Sequence, residues 1–261
     1  MFKNILTVVT ACTMTMFGCS GEQLHDNPED ETLEIIDNLI EAGFPPDDIQ
    51  IYDGVVYVGN DAAVSLAASR EMLEVDDSGS VYKQYRTNNL VSRSLDAICI
   101  NGSAFTGTLS TALNWSINNY NALNLTFTMY RTSGSTSGCD AVITARVVSG
   151  SGGSAGFPSG GRPYPYINIG AGVASYGTNT AEHVITHELG HTLGFRHSDY
   201  FNRSISCGRG GNEGGGSVGA NHVPGTPTGA SVGGSIMNAC FRSRENGEFT
   251  SSDRAALQYL Y

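Results

Sequence analysis

Cysteine is absent from residues 20–98, and none of the six cysteines of the chain form a C-x-x-C pair. The first absence excludes a cysteine thiolate from that segment as a metal ligand, and the second argues against a cysteine-zinc site. Four cysteines remain once Cys12 and Cys19 are set aside, and an even number fits two disulfides in an oxidising compartment. Three pairings are open, and we favour the one that joins neighbours in sequence order: Cys99 with Cys139 and Cys207 with Cys240.

Basic residues are few, with 14 lysines and arginines against 25 aspartates and glutamates and a net charge of −11. They are mostly scattered arginines, so the sequence indicates no nucleic-acid partner. The acidity is uneven, because residues 20–90 contain 16 acidic and 3 basic residues whereas residues 91–261 contain 9 acidic and 10 basic ones. Such an asymmetry is typical of an accessory segment that precedes the main domain.

The apolar stretch near the N-terminus is too short for a transmembrane helix, which needs about 20 apolar residues. Residues 1–18 contain Lys3, then the stretch ILTVVTACTMTMF, then Gly18 before Cys19. This layout predicts a bacterial lipoprotein signal peptide, with Cys19 as the lipidated residue and the only link to a membrane. Cleavage by ordinary signal peptidase is the alternative. The protein is therefore expected to be exported, either as an outer-membrane or cell-surface lipoprotein or as a freely secreted protein.

The stretch HELGHTLGFRH begins at His187 and contains three histidines and a glutamate. Residues four apart lie on one face of a helix, so His187 and His191 can bind the same cation. Gly194 can adopt a positive φ at low cost and end the helix, which would return His197 as a third ligand. Glu188 can accept a proton from a metal-activated water. The stretch predicts a catalytic zinc site, although a helix that is merely rich in histidine remains the alternative.

The extended pattern H-E-x-x-H-x-x-G-x-x-H resembles the metzincin zinc endopeptidases, and within them it is most similar to the dual-action HEIGH metallopeptidases. The sequence departs from these relatives at Leu189, where the family name records isoleucine, and at Ala239, where astacin-like relatives carry an oxyanion-stabilising tyrosine. We therefore assign no tyrosine to the oxyanion. The likeness continues, in the same order along the chain, in KQYRTNNLVS (83–92), AGFPSGGRPY (155–164), NHVPGTPTG (221–229) and SIMNAC (235–240).

This resemblance implies an α+β, metzincin-like zincin domain with a twisted mixed sheet, an active-site helix and a Met-turn at Met237. It implies one catalytic zinc ion held by three histidines, with a small propeptide before the catalytic domain. It also implies that the strand at residues 166–170 is the edge strand that pairs antiparallel with an extended substrate. We accordingly divide the chain into a signal peptide at 1–18, an acidic propeptide at 19–90 and a catalytic domain at 91–261.

The predicted propeptide contains a helix and a hairpin. Helical spacing places Leu33, Ile36, Leu39 and Ile40 on one face, and a hairpin is expected to turn at Asp53-Gly54. Since a cysteine cannot block the zinc here, a carboxylate is the candidate, and we name Asp61 and, less favourably, Asp53. The alternative is that both are ordinary turn aspartates.

In the catalytic domain, hydrophobic patterning predicts strands, a first helix, the zinc helix and a closing helix. The zinc helix is expected to start near Thr180, capped by Asn179 or Thr180, and to end before Gly194. The closing helix is expected to be capped by Ser251 or Ser252. Residues 208–234 are glycine-rich and predict a long loop, and a calcium site there is unsupported because no acidic repeat is present. The strands are predicted at 95–100, 125–131, 140–148 and 166–170, the first helix at 107–124, and the inward face of the closing helix at Ala255, Leu257 and Leu260.

Three residues near the motif have open interpretations. His183 lies one turn before the first ligand and is expected to be a neighbour of the site or a surface residue, not a ligand. Arg196 and Asp199 flank His197 and predict either an ion pair with each other or a contact to a ligand histidine.

The sequence as a whole predicts a monomeric zinc endopeptidase that acts on polypeptides. A surface binding lipoprotein with a vestigial metal site is one alternative, although it would have no need for Glu188. A zinc hydrolase of non-peptide amides or esters is the other, and only substrate panels distinguish it from a peptidase.

Overall fold

The structure is a computed structural model that describes residues 28–74, 85–214, 220–227, 229–242 and 244–261. The predicted signal peptide and Cys19 therefore lie outside the described residues. Among the described helices, none has the length and apolar content needed to cross a membrane.

The described residues form both helices and strands. The helices are α1 (Pro28–Glu41), α2 (Leu66–Met72), α3 (Gly107–Asn121), α4 (Thr178–Thr192), the short α5 (Ser204–Cys207) and α6 (Ser251–Leu260), with a 3₁₀ turn at Ala171–Tyr176. The strands are β1 (Gln50–Tyr52), β2 (Val55–Val58), β3 (Ala62–Val64), β4 (Tyr85–Arg86), β5 (Ala97–Asn101), β6 (Thr128–Thr132), β7 (Ala141–Val148), β8 (Gly153–Gly156), β9 (Tyr166–Gly170) and β10 (Asn221–His222).

Eight strands form one mixed sheet in the order β1-β2-β3-β8-β9-β7-β5-β6. Strands β6, β5, β7 and β9 are mutually parallel neighbours, and β8 runs antiparallel to β9. Strand β3 pairs with β8 in the parallel sense and with β2 in the antiparallel sense. A small separate sheet joins β4 to β10. The predicted α+β class with a mixed sheet is confirmed.

The edge strand was predicted wrongly. Residues 166–170 form a strand as expected, but β9 lies inside the sheet between β7 and β8. The strands that the C-terminal part contributes to the main sheet have two edges, β6 and β8, and β8 is the one that contacts α4. Its sequence GSAG has neither hydrophobic alternation nor β-branched residues. Such a strand gives no periodic signal, so the sequence pattern could not reveal it.

Two hydrophobic cores lie on the sheet. The larger one joins α3, α4 and α6 to the strands of the C-terminal part. The smaller one contains residues between Ile35 and Met72 together with Phe157, which follows β8. The N-terminal segment therefore has its own core, and Phe157 is a side chain of the C-terminal part that packs into it.

Several local predictions need correction. In α1 the buried apolar residues are Ile35 and Leu39, whereas Leu33 is 60% exposed and Ile40 is 45% exposed. Helix α4 begins at Thr178, two residues earlier than predicted, because Gly177, with φ +89°, precedes it. The N-cap of α6 is Thr250, which forms a capping box with Asp253, and its inward face uses Ala256 where we expected Ala255.

Other local predictions are confirmed. The hairpin between β1 and β2 turns at Asp53 and Gly54, with φ values of +49° and +75°. The two disulfides join Cys99 to Cys139 and Cys207 to Cys240.

Candidate metal centre

The end of helix α4 brings the three motif histidines together. His187 and His191 lie one turn apart on the buried helix, which ends at Thr192. Gly194 has φ +103°, and a side chain at this position would also overlap the carbonyl oxygen of Asn89. Only glycine meets both demands, so the chain can turn sharply here and return His197 to the other histidines.

Each histidine is held through Nδ1. His187 Nδ1 donates to the carbonyl oxygen of Ile236 at 2.8 Å, and His191 Nδ1 donates to that of Phe195 at 2.7 Å. His197 Nδ1 lies 2.6 Å from Glu213 Oε1. Oxygen acceptors fix the proton on Nδ1, so the Nε2 lone pairs of His187 and His191 are free to bind a metal.

The Nε2 atoms converge on one point. His187 Nε2 and His191 Nε2 lie 3.0 Å apart, and two bare lone pairs at this distance repel unless a cation lies between them. Tetrahedral zinc with bonds of about 2.0–2.1 Å separates its ligands by about 3.3 Å. The ligand atoms of the three histidines and Asp61 all lie within 4.8 Å of one another. Both the donor type and the spacing therefore fit zinc.

Asp61 supplies the fourth group of this cluster. It immediately precedes β3, and its Oδ2 lies 3.1 Å from His197 Nε2 and 3.6 Å from His187 Nε2. Burial alone would raise the pKa of Asp61, but the nearby His197, His187 and His191 hold that pKa well below its usual range. Asp61 is therefore a carboxylate at the point where the motif leaves a coordination position open. Asp53, the other sequence candidate, is an exposed turn residue.

Glu188 lies beside the histidines, and its side chain is fully buried. Burial, and after it the negative charge of Asp61, raises the pKa of Glu188 well above its ordinary value. Its Oε2 has no hydrogen-bond partner among the described residues. A side chain at Gly153 in β8 would overlap the Glu188 carboxylate, so this glycine makes room for it. A buried carboxylate with a free oxygen and an elevated pKa is suited to accepting a proton.

Met237 packs beneath the helix that carries the histidines. A Cβ at Gly190 would lie 2.5 Å from Met237 Sδ, so glycine permits the close approach of the turn to α4. The preceding residue, Ile236, provides the carbonyl that orients His187. The Cys207–Cys240 disulfide then ties this turn to the loop after the zinc helix. Met237 and Gly194 thus lie where the sequence predicted structural supports.

Arg196 and Asp199 do not pair with each other, so the predicted ion pair is wrong. Arg196 Nη2 lies 3.5 Å from Glu213 Oε2, and Glu213 in turn binds the third histidine. Asp199 accepts hydrogen bonds from Ser206 and from the backbone N–H of Ala239, so it joins two loops instead. Sequence reasoning missed Glu213, whose only signal was being a single acid within a glycine-rich stretch.

His183 is buried and lies outside the cluster of potential metal ligands, as predicted for a neighbour. Its Nδ1 contacts the carbonyl oxygen of Asn246 at 3.0 Å, and Glu245 lies 3.7 Å from its Nε2. Burial, and after it the charge of His187, lowers the pKa of His183 to about 4. Its surface alternative is wrong.

Known proteins resemble this chain at two levels, as solved structures of low identity and as a sequence family. Two solved structures have similar parts: myroilysin, with 12% identity over 65% of this chain and 93% of that one and a TM-score of 0.40, and high choriolytic enzyme 1, a hatching enzyme zinc-protease from the medaka fish Oryzias latipes, with 16% identity over 63% and 76% and a TM-score of 0.34. No curated protein matches the chain. The family model of the dual-action HEIGH metallopeptidases matches residues 56–261, which include Asp61, all three motif histidines and Met237. The chain belongs to the dual-action HEIGH metallopeptidase family and is a zinc metallopeptidase.

Proposed function

We propose that this protein is an exported endopeptidase of polypeptides that its own N-terminal segment holds latent. His187, His191 and His197 would bind the zinc through Nε2, and Glu188 would serve as the general base. The observation that carries the proposal is the convergence of three histidine side chains whose Nδ1 atoms are all engaged, so that their Nε2 atoms face one point.

The reaction uses the chain's own groups around the metal. When bound, zinc polarises the peptide carbonyl and lowers the pKa of water. Glu188 takes the proton from the attacking water and passes it to the nitrogen of the leaving amine. Its raised pKa favours this role, because a carboxylate must hold the proton long enough to deliver it. Ala239 offers no oxyanion donor, so stabilisation of the oxyanion would fall mainly to the metal.

Strand β8 is the surface on which an extended substrate would lie. It is one of the two outer strands of the C-terminal part of the sheet, and Gly153 within it borders Glu188. In this structure β3 covers β8 through the pairs Ala62–Ala155 and Ala63–Gly156. A substrate that binds by strand addition needs the same backbone groups, so β3 and substrate are mutually exclusive.

The direction of β3 would protect the segment from cleavage at this centre. It runs parallel to β8, whereas the resemblance implies an antiparallel substrate. A reversed chain places its carbonyls and amides in the wrong order relative to Glu188. Asp61 also occupies the place of the reacting groups, since its carboxylate faces all three histidines.

The contacts favour a boundary of the latent segment before residue 85 and not at residue 90. Tyr85 accepts a hydrogen bond from the backbone N–H of Arg196 at 2.8 Å, and Thr87 donates to the carbonyl oxygen of Gly194 at 3.0 Å. Tyr85 and Thr87 support the turn that carries His197, so a working enzyme would retain them.

The test measures zinc content and casein cleavage for the full chain and three variants. After limited proteolysis has removed the N-terminal segment from both proteins, Glu188→Gln should bind about one zinc per chain and be less active than the wild type by about 10²–10⁴-fold, the usual contribution of a general base. Without processing, Asp61→Ala should keep the zinc and cleave casein measurably faster than the latent wild type, although more slowly than processed protein, because β3 still pairs with β8. Asp53→Ala is the matched control, since Asp53 is an exposed aspartate of the same segment, and it should remain as latent as the wild type.

Two results would contradict the proposal separately. Cleavage by Glu188→Gln at the wild-type rate would remove Glu188 as the base. An Asp61→Ala protein that binds zinc but stays as inactive as wild type would remove Asp61 as the blocking group.

For the location of the protein, we propose export with lipid attachment at Cys19, supported by the apolar stretch that ends before that residue. Protein made in bacteria should then partition into detergent, whereas Cys19→Ser should remain in the aqueous phase. A wild-type protein that stays aqueous and begins at another residue would instead support ordinary secretion.

A further inference from the structure

A buried group of charges joins the N-terminal segment to the loop after the zinc helix. Arg203 Nη2 lies 2.8 Å from Asp48 Oδ1, and the other oxygen of Asp48 accepts the backbone N–H of Gly59 at 2.9 Å. Arg203 Nε lies 3.8 Å from Glu213 Oε1, and Glu213 also binds Arg196. Asp48 is only 3% exposed in its side chain, so an aspartate from the segment sits inside the C-terminal part.

This group lies next to the metal centre. A Cβ on Gly59 would lie 3.2 Å from His197 Cε1 and 3.2 Å from the Glu213 carboxyl carbon. Gly59 and Asp61 are two residues apart, which limits their separation to about 7 Å. The Asp48 carboxylate, which binds the N–H of Gly59, therefore lies close in space to the point where a scissile bond would be placed.

The charges balance only while the segment is present. Arg196 and Arg203 face Glu213 and Asp48, so two guanidinium groups meet two carboxylates. The segment also covers Arg196 with the ring of Phe44, whose centroid lies 4.5 Å from the guanidinium carbon. Removal of the segment leaves one carboxylate, Glu213, which already binds His197.

Arg203 has unused capacity for an anion. Its Nε and Nη1 are buried and make no hydrogen bond within the part of the chain that the structure describes. Asp48 thus uses one corner of a group that can hold a carboxylate with two parallel hydrogen bonds. A carboxylate that lies in the plane of the guanidinium and faces two of its nitrogens would bind better than Asp48 does.

We propose that Arg203 forms a specificity site that receives an acidic side chain of the substrate, and that Asp48 fills this site in the latent protein. The inference rests on the proposed function, because it concerns a substrate bound at the same centre. The site selects aspartate or glutamate at one position close to the cleaved bond. It does not alter the chemistry, so peptides without an acid are still cleaved, only less efficiently.

The test starts from the folded full chain, from which limited proteolysis then removes the N-terminal segment, so that the catalytic part never has to fold alone. Peptides that differ only by glutamate against glutamine at each position near the cleaved bond are compared for kcat/KM. At one position the wild type should prefer glutamate by about tenfold or more, as expected for a charged hydrogen-bonded pair. Arg203→Gln should abolish this preference, so that its kcat/KM is about the same for the glutamate and the glutamine peptide.

Two further variants are controls. Arg209→Gln removes the same charge from an exposed position of the same loop and should keep the preference. Arg203→Lys retains the charge without the planar fork and should keep part of it. If Arg203→Gln does not fold, the wild-type profile still decides, because the absence of an acidic preference at every position would overturn the inference. A preference that persists in Arg203→Gln would overturn it too.

A binding measurement separates this inference from the proposed function. Fluorescence anisotropy with labelled peptides is recorded on processed protein that carries Glu188→Gln. Tighter binding of the glutamate peptide that depends on Arg203, without cleavage by the parent protein, would support the specificity site and refute the peptidase proposal. Cleavage without any preference that depends on Arg203 would support the peptidase proposal and refute the specificity site.

Discussion

At the scale of single residues, the motif predicted nearly the whole candidate metal centre. His187, His191 and His197 converge because spacing on a helix and one glycine turn are local properties that sequence reveals. Glu213 and Asp48 were not predicted, because each is a single acid in a loop whose partner lies far away along the chain. Such contacts depend on how the loops pack, and residue type alone does not determine this.

Glycine at position 153 is expected to matter for activity more than for stability. Gly153→Ala would place a methyl group against the Glu188 carboxylate and displace it. Activity should fall by about 100-fold, as expected when a catalytic group is misplaced by about 1 Å, while the zinc content stays the same. Gly152→Ala is the control, since nothing lies within 4 Å of a Cβ at that neighbouring position. Equal activity of the two variants would show that Glu188 tolerates the displacement.

At the scale of elements, strong hydrophobic patterns were predicted well and weakly patterned strands were not. Helix α3 and strands β7 and β9 agree closely with the predicted ranges, because each buries apolar residues at regular spacing. Strand β8 has the sequence GSAG and owes its place to backbone pairing with β9 and β3. Backbone pairing does not require a particular pattern of hydrophobic side chains, so the sequence did not indicate β8 and the edge strand was assigned to β9.

Helix α4 is buried along almost its whole length, and His183 within it should make stability depend on pH. Its pKa is about 4 in the folded protein against an ordinary value of 6.5. Well above pH 6.5 His183 is neutral in both the folded and the unfolded state. Between pH 6.5 and 4 it is protonated in the unfolded state but stays neutral in the folded state. Between pH 7 and pH 5 this should lower the free energy of unfolding by about 2 kcal/mol.

Urea unfolding of metal-free protein at pH 7 and pH 5 measures this effect. His183→Gln can still donate to the carbonyl of Asn246 but cannot titrate, so it should lose about 2 kcal/mol less than the wild type over this interval. The other histidines titrate in both proteins and cancel in the difference. Identical losses would mean that His183 accepts a proton without cost in the folded state.

At the scale of the whole molecule, the sequence predicted the parts of the N-terminal segment but not how they join the rest. The helix and the hairpin at Asp53-Gly54 were expected, and both are present. Their union with the main sheet through β3 and β8 was not, because pairing of distant strands depends on which edge remains open after folding. The uneven charge indicated an accessory segment, but it did not predict the individual ion pair between Asp48 and Arg203.

The pairing of β3 with β8 has a consequence for how the proposed latency would respond to dilution. Asp61 and the histidines belong to one chain, so the blocking group meets the metal centre at an effective concentration of the order of millimolar, whatever the amount of protein. Under this proposal each molecule carries one inhibitor of its own, and neither dilution nor a low rate of synthesis would release it. Only an irreversible event, the cutting of the chain, changes that ratio, so activation would behave as a one-way step and not as an equilibrium.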